Sequence, residues 1–319
     1  MMSWVFDKFD AIPYLRFLGE PATGKTRCLQ VVGHLSYKGI SASGATTASP
    51  LFRLLDVCHG TFLLDKADHK NSDMWVDIIK MLNNGYMRGM FVLRSDKSGD
   101  SYEPRAFDVY GPKILSTRRE FEDRALETRC LTLRTSERKV RPDIPRQLPE
   151  AFYDEALELR NKLLRWRFEN YARIECDESE LLHLEPRLTQ IGVPLYSVSR
   201  DPGFRARFLK FLADQADEQR DARPQGVIVE AIRQLVEMGK RKLPTVLGVK
   251  DVAEQANLVT LPDDPEAATW PPEVKFTARG AGPLLRVLGF VPERTRRGYE
   301  FELTEEVWKN LDERYPRVT

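Results

Sequence analysis

Two glycines, a lysine and a threonine at fixed offsets carry the clearest chemistry in this chain. Gly19, Gly24, Lys25 and Thr26 lie in the stretch GEPATGKT and have the spacing G-x-x-x-x-G-K-[ST] of a phosphate-binding loop. Glycines let such a turn bring successive backbone N–H groups around phosphate oxygens, and the helix that follows aims its positive end at them. Lys25 then reaches the terminal phosphates, and the Thr26 hydroxyl ligates magnesium. The residues expected to hold the nucleotide are Gly19, Glu20, Pro21, Ala22, Thr23, Gly24, Lys25, Thr26 and Arg27.

A second stretch, GTFLLDKADHK at 60–70, ends an apolar run abruptly in charge. Paired with the loop, Asp65 at the end of that run is expected to support the same magnesium as Thr26. The expected cofactors are therefore ATP and Mg2+. The following residue, Lys66, is harder to place, because a protonated amine has no lone pair with which to orient an attacking water. Asp68 is the nearest acid that could do so, with Asp73 of the following helix as the alternative. A third account leaves the chain binding ATP and hydrolysing it slowly.

These residues need a sheet to hold them. Apolar patterning predicts a strand at Tyr14–Leu18, a helix at Lys25–Leu35, a strand at 40–44, a helix at 48–57, a strand at 61–64 and a helix at 73–83. Two strands at 90–94 and 105–110 flank a polar, Gly-containing tip and read as a hairpin. A strand at Lys113–Thr117, a helix at 119–128 and a strand at Cys130–Arg134 follow. Alternating strands and helices with the phosphate loop after the first strand imply an α/β fold with an open, mainly parallel sheet. Beyond the segment RPDIPRQLP, helices are expected at 150–171, 178–191 and 203–222, with ARPQG at 222–226 as a linker. The tail reads as helices at 227–238, 249–256 and 277–288, a hairpin in GFVPERTRRGYEFEL, and a helix at Glu305–Arg314. Helices followed by a small β-wing suggest a winged helix. The expected domains are 1–145 (nucleotide-binding α/β), 146–223 (helical lid) and 224–319 (winged-helix-like).

With these pieces in order, the chain resembles the AAA+ ATPases, and among them the MCM-like and superfamily-3-like replicative helicases of phages, plasmids and other mobile elements. The stretch YGPKILSTRREFEDRALETRCLTL carries the most specific part of the likeness. The resemblance implies a polar sensor at Thr117, with Ser116 as the alternative. It implies an arginine at 129 projecting into the neighbouring subunit's nucleotide, with Arg124 as the alternative. The hairpin matches in position one that grips DNA in the pore of such rings, which makes Lys97 a DNA contact, with Tyr102, Arg94 and Arg105 beside it. Arg187, in EPRLTQIGVPL, falls where a second sensor arginine could reach back to the γ-phosphate.

The implied function is an ATP-dependent DNA motor, a helicase or translocase, with ATP bound between subunits of a ring, read as a hexamer. The alternatives are a weakly hydrolysing or non-hydrolysing DNA-binding scaffold or loader, and a transcription regulator of the same class. Lys66 departs from the family, which places glutamate there. About a dozen residues precede the first strand, where such helicases carry a collar or primase domain. The expectations are a motor module alone, a truncated part of a longer helicase, or one half of a split protein whose partner is a separate primase or N-terminal domain protein.

Bulk charge neither favours nor excludes DNA. The chain has 49 Lys and Arg against 48 Asp and Glu, a net charge of +1, so any DNA contact must rest on local patches. Arg279 and Arg286, seven apart, share one face of a helix, and Arg294, Arg296 and Arg297 lie in the hairpin of the tail. The four cysteines form no pair with metal-ligand or redox spacing, and no apolar run approaches the roughly 20 residues of a membrane span. These features fit a reduced, cytoplasmic chain with no membrane partner.

Overall fold

The computed structural model describes residues 1–43, 48–65, 73–98, 101–135, 144–221, 224–239, 242–260 and 276–315. They fall into two compact units, Met1–Gln215 and Ala216–Thr319.

The first unit is built on β1 (Tyr14–Leu18), α1 (Lys25–Leu35), β2 (Ile40–Ser43), α2 (Ala48–Cys58), β3 (Phe62–Asp65), α3 (Asp73–Asn84), β4 (Phe91–Ser98), β5 (Ser101–Asp108), β6 (Lys113–Thr117), α4 (Arg124–Glu127) and β7 (Cys130–Arg134). Five of these strands form one parallel sheet in the order β2-β3-β6-β1-β7. The fold is therefore mixed α/β with a five-stranded parallel sheet. Its strands read as near-continuous apolar runs because helices cover the sheet. Phe62, Leu64, Leu115 and Tyr14 pack with Phe52, Ile78, Leu82 and Phe107 in the main core.

Two strands nevertheless bury a charged side chain, Arg16 in β1 and Lys113 in β6. Arg16, in the middle of β1, is 1% exposed. Both its terminal nitrogens pair with the Glu127 carboxylate, and its Nε donates to Thr132 Oγ1 at 3.1 Å. A buried charge is tolerated when paired and hydrogen-bonded in this way. The same carboxylate accepts the Phe121 amide at 2.9 Å, and Asp123 Oδ1 caps the chain at Leu126 N at 3.1 Å. Those side-chain bonds reduce the helix expected at 119–128 to the single turn α4. The expected hairpin is present as β4 and β5, paired from Phe91↔Asp108 to Ser98↔Ser101.

Three helices complete this unit: α5 (Glu150–Asn170), α6 (Pro186–Val198) and α7 (Pro202–Asp221), the division between units falling inside α7. The helix expected at 178–191 instead starts at Pro186, whose fixed φ and missing N–H suit a first turn. It continues through Pro194 to Val198. Gln215 of α7 covers the outer edge of β7: its amide oxygen accepts Thr132 N at 2.9 Å and its nitrogen donates to Cys130 O at 2.8 Å.

The second unit contains α8 (Pro224–Met238), β8 (Thr245–Gly248), α9 (Val249–Val259), α10 (Ala278–Val287), β9 (Glu293–Thr295), β10 (Gly298–Leu303) and α11 (Glu305–Arg314). Its three strands form an antiparallel sheet in the order β8-β10-β9. Sequence patterning missed β8, a four-residue strand beside a proline whose stability comes from pairing with β10 about fifty residues later. The core of the unit joins Ile228, Ile232, Val252, Ala256, Leu285 and Phe301. Among the described residues no helix is long and apolar enough to cross a membrane.

Candidate nucleotide site

The register of the parallel sheet brings three predicted residues to one edge. Leu18 stands opposite Thr117, and Leu64 opposite Leu115, so the carboxyl ends of β1, β3 and β6 finish level. Ligands of open parallel sheets bind outside that edge. A cleft of about 150 Å³ opens there, lined by Pro21, Ala22, Lys25, Thr26, Asp65, Ser116, Thr117 and Arg118.

The loop between β1 and α1 has the shape its composition suggests. Gly24 precedes α1 at φ 87°, and Ala22 also has a positive φ of 65°. The first conformation is open to glycine, while the second is uncommon for a residue with a Cβ and is typical of ligand-binding turns. The Lys25 ammonium is folded back onto this loop, donating to the carbonyls of Gly19 and Glu20 at 2.6 Å each. Thr26 Oγ1 donates to Asp65, 3.2 Å from Oδ2 and 3.4 Å from Oδ1. Arg27 points away from the cleft and donates to the carbonyls of Pro145 and Arg146.

Thr117 lines the cleft, is fully buried, and its hydroxyl has no hydrogen-bond partner. An orphaned hydroxyl in this position is costly unless a ligand or water completes it. Together with the lysine, the Thr26–Asp65 pair and the glycine turn, it fits a magnesium–triphosphate. Lys25 is the residue that could hold the phosphates, and Thr26 and Asp65 the pair that could hold the metal.

Two further arginines lie elsewhere. Arg129 directly precedes β7, and its carbonyl accepts the amide of Tyr14, the first residue of β1. It therefore sits at the opposite edge of the sheet from the cleft, about 16 Å away along a five-residue strand. Its guanidinium lies over the Tyr86 ring, 4.4 Å from the centroid, and donates to Asn83 Oδ1. Its Nε is buried without a partner. Arg187 packs over the same ring at 4.9 Å and donates to Tyr86 Oη at 2.7 Å and Gln190 Oε1 at 2.6 Å. The expectation that Arg187 reaches back to its own chain's phosphates is therefore corrected, since Tyr86 holds it at the far edge of the sheet. Arg124, the alternative to Arg129, opens α4 on its exposed side.

Arg118 was not expected from sequence, yet it lines the cleft one residue past Thr117. The available signal was an arginine directly after the polar end of a buried strand. Lys66 and Asp68 lie outside the described residues, as do the side chains of Asp73, Lys97 and Tyr102. Arg94 and Arg105 turn toward the helices under the hairpin, pairing with Asp77 at 2.7 Å and Asp56 at 3.9 Å. In the second unit, Arg279 and Arg286 are exposed on α10, and Arg294, Arg296 and Arg297 are exposed on and between β9 and β10. The described residues contain no group of three or more His, Cys, Asp or Glu arranged to hold a metal.

No family profile matches the chain, and no curated protein matches it. Among solved structures it is similar to "The A form apo structure of NrS-1 C terminal region-CTR" at 12% identity and a TM-score of 0.39, over 95% of this chain and 70% of that one. A likeness that loose carries no argument.

Proposed function

We propose that the chain is an AAA+-type ATPase that works as a DNA motor, with Mg–ATP held between subunits of a ring, read as a hexamer. The observation that carries this reading is the convergence of Lys25, Thr26, Asp65 and Thr117 in one cleft at the carboxyl ends of three adjacent strands. When bound, Mg–ATP supplies a transferable phosphoryl group and an electrophilic metal. Lys25 neutralises charge at the terminal phosphates, Asp65 and Thr26 hold the metal, and Thr117 offers its hydroxyl.

The placement of Arg129 supports the ring. It lies at the wrong edge of the sheet for its own cleft, so it acts on a neighbour's. An arginine suits that role because its planar, permanently charged fork bridges phosphate oxygens.

The second unit supports a DNA partner. Two successive helices, α9 and α10, lead into an antiparallel hairpin, the arrangement of a winged helix, with arginines exposed on α10 and on the hairpin. A recognition helix and a wing make groove and backbone contacts of this kind. Lys66, in the place of a glutamate, favours a second reading, a weakly hydrolysing DNA-binding scaffold.

ATP turnover with and without single-stranded DNA tests the proposal. A motor shows turnover that DNA stimulates, and unwinds a forked duplex. Nucleotide binding with neither turnover nor unwinding favours the scaffold, and an absence of nucleotide binding refutes both.

A further inference from the structure

Thr135, the residue after β7, touches the last residue of β1 and the phosphate loop that follows it. Its amide donates to Leu18 O at 2.7 Å, its hydroxyl donates to the same carbonyl at 3.2 Å, and its Oγ1 lies 2.7 Å from Thr23 Oγ1. Thr23 Oγ1 in turn donates to Glu20 O at 2.8 Å. A hydroxyl has one proton. Thr23 places its proton on Glu20, and the one proton of Thr135 has two acceptors within reach, Leu18 O at 3.2 Å and Thr23 Oγ1 at the shorter 2.7 Å. The result is a chain of contacts, Thr135 to Thr23 to the Glu20 carbonyl, that reaches the loop from outside. The Glu20 carbonyl is also one of the two on which Lys25 rests, at 2.6 Å.

Gly19 shows how closely this residue fits. A Cβ there would lie 2.5 Å from the Thr135 carbonyl oxygen and closer still to its hydroxyl. Gly19 does not have a positive φ. The first glycine of the loop is therefore required by contact with Thr135, whereas Gly24 is required by its own backbone angle.

We infer that Thr135 is a positioning residue for the phosphate loop, holding it in binding shape through Thr23 once Lys25 leaves the loop carbonyls for a phosphate. This rests on the nucleotide reading above. Before binding, Lys25 braces Gly19 and Glu20 from inside the loop. After it turns to the ligand, the chain through Thr135 is the brace that remains at Glu20. Loss of that brace leaves the fold intact and charges its cost to nucleotide affinity. The hydroxyl matters, not the bulk of the side chain, so serine suffices and valine does not.

The test is Mg–ATP titration of the full chain carrying Thr135→Val, Thr135→Ser, Thr23→Val and the double substitution Thr23→Val/Thr135→Val, with a melting curve for each. One neutral hydrogen bond corresponds to an affinity loss of roughly fivefold. Thr135→Val is expected to bind ATP about fivefold more weakly with its melting temperature unchanged. Thr135→Ser should bind like the wild type, and the double variant should lose less affinity than the sum of the two single losses, because both break the Thr23–Thr135 contact. Thr23→Val breaks it from the loop side should Thr135→Val fold poorly. Wild-type affinity in Thr135→Val, no recovery in Thr135→Ser, or losses that add in the double variant would each overturn the inference. A wild-type chain that binds no ATP refutes the nucleotide reading itself.

Discussion

Arg129 and Arg187 pack on the same aromatic ring, their guanidinium carbons 4.4 and 4.9 Å from the centre of Tyr86. Their own chain's phosphate loop lies at the other edge of the sheet. Asn83 fixes Arg129 and is itself fixed by Asp123, which accepts from its Nδ2 at 2.7 Å. The candidate site on one edge and Arg129 on the other motivate the proposal that the chain is one member of a ring.

Lys25→Ala tests the cleft without disturbing the core. The ammonium makes two charge-assisted bonds to loop carbonyls, and bonds of similar strength to phosphate are worth roughly 1.5 kcal/mol or more each. ATP affinity should fall by at least about 100-fold, while circular dichroism and the unfolding transition stay near those of the wild type. Calorimetric titration with Mg–ATP reads the first, and unchanged affinity removes the phosphate-loop assignment.

Glu127→Gln tests the buried pair that holds β1 against α4. Arg16 is 1% exposed, so neutralising its partner leaves a buried charge uncompensated, at a cost of about 3 kcal/mol or more. Urea unfolding should show this as a lower midpoint with an unchanged slope. Replacing both residues with apolar ones, Arg16→Met with Glu127→Leu, should recover much of the loss. A Glu127→Gln variant as stable as the wild type contradicts the pairing.

Lys113 supplies a pH dependence. Burial pushes its ammonium down to about 7, against 10.5 for an exposed lysine, although its Nζ donates to the carbonyls of Gly85, Val109 and Gly111. Between those two values the unfolded chain binds more protons than the folded one, so stability rises with pH. Below about 7 the penalty is fully present, and it is relieved as pH climbs toward 10.5. The slope from this group is at most about 1.4 kcal/mol per pH unit. Denaturant unfolding from pH 6.5 to 9 should show this rise, and Lys113→Met should flatten it. An equal slope in the variant would contradict the assignment.

The sequence announced the site more fully than it announced the fold around it. Tyr14–Leu18, Lys25–Leu35, Lys113–Thr117 and Cys130–Arg134 occupy the expected spans, because each is a short apolar run between strong breakers or a helix opened by glycine. That is why Lys25, Thr26 and Thr117 could be placed together before any coordinates. The location of Arg187 was not legible, since it depends on Tyr86, 101 residues away in sequence. The shortening of the helix at 119–128 was hidden for the same reason: Glu127 is recruited by Arg16, 111 residues earlier. Thr135 carried no local signal, and its role emerges only where β7 ends against the loop.

The central claim is that each ATP is completed by the next subunit's arginine, and mixing two inactive proteins tests it most directly. Lys25→Ala lacks the cleft but keeps Arg129, while Arg129→Ala keeps the cleft but lacks the arginine, whose loss alone should lower turnover by roughly 10³. Steady-state ATP hydrolysis of an equimolar mixture should rise well above that of either protein alone, because subunits pairing an intact cleft with an intact Arg129 form in the mixed ring. A mixture no more active than its components would contradict the account.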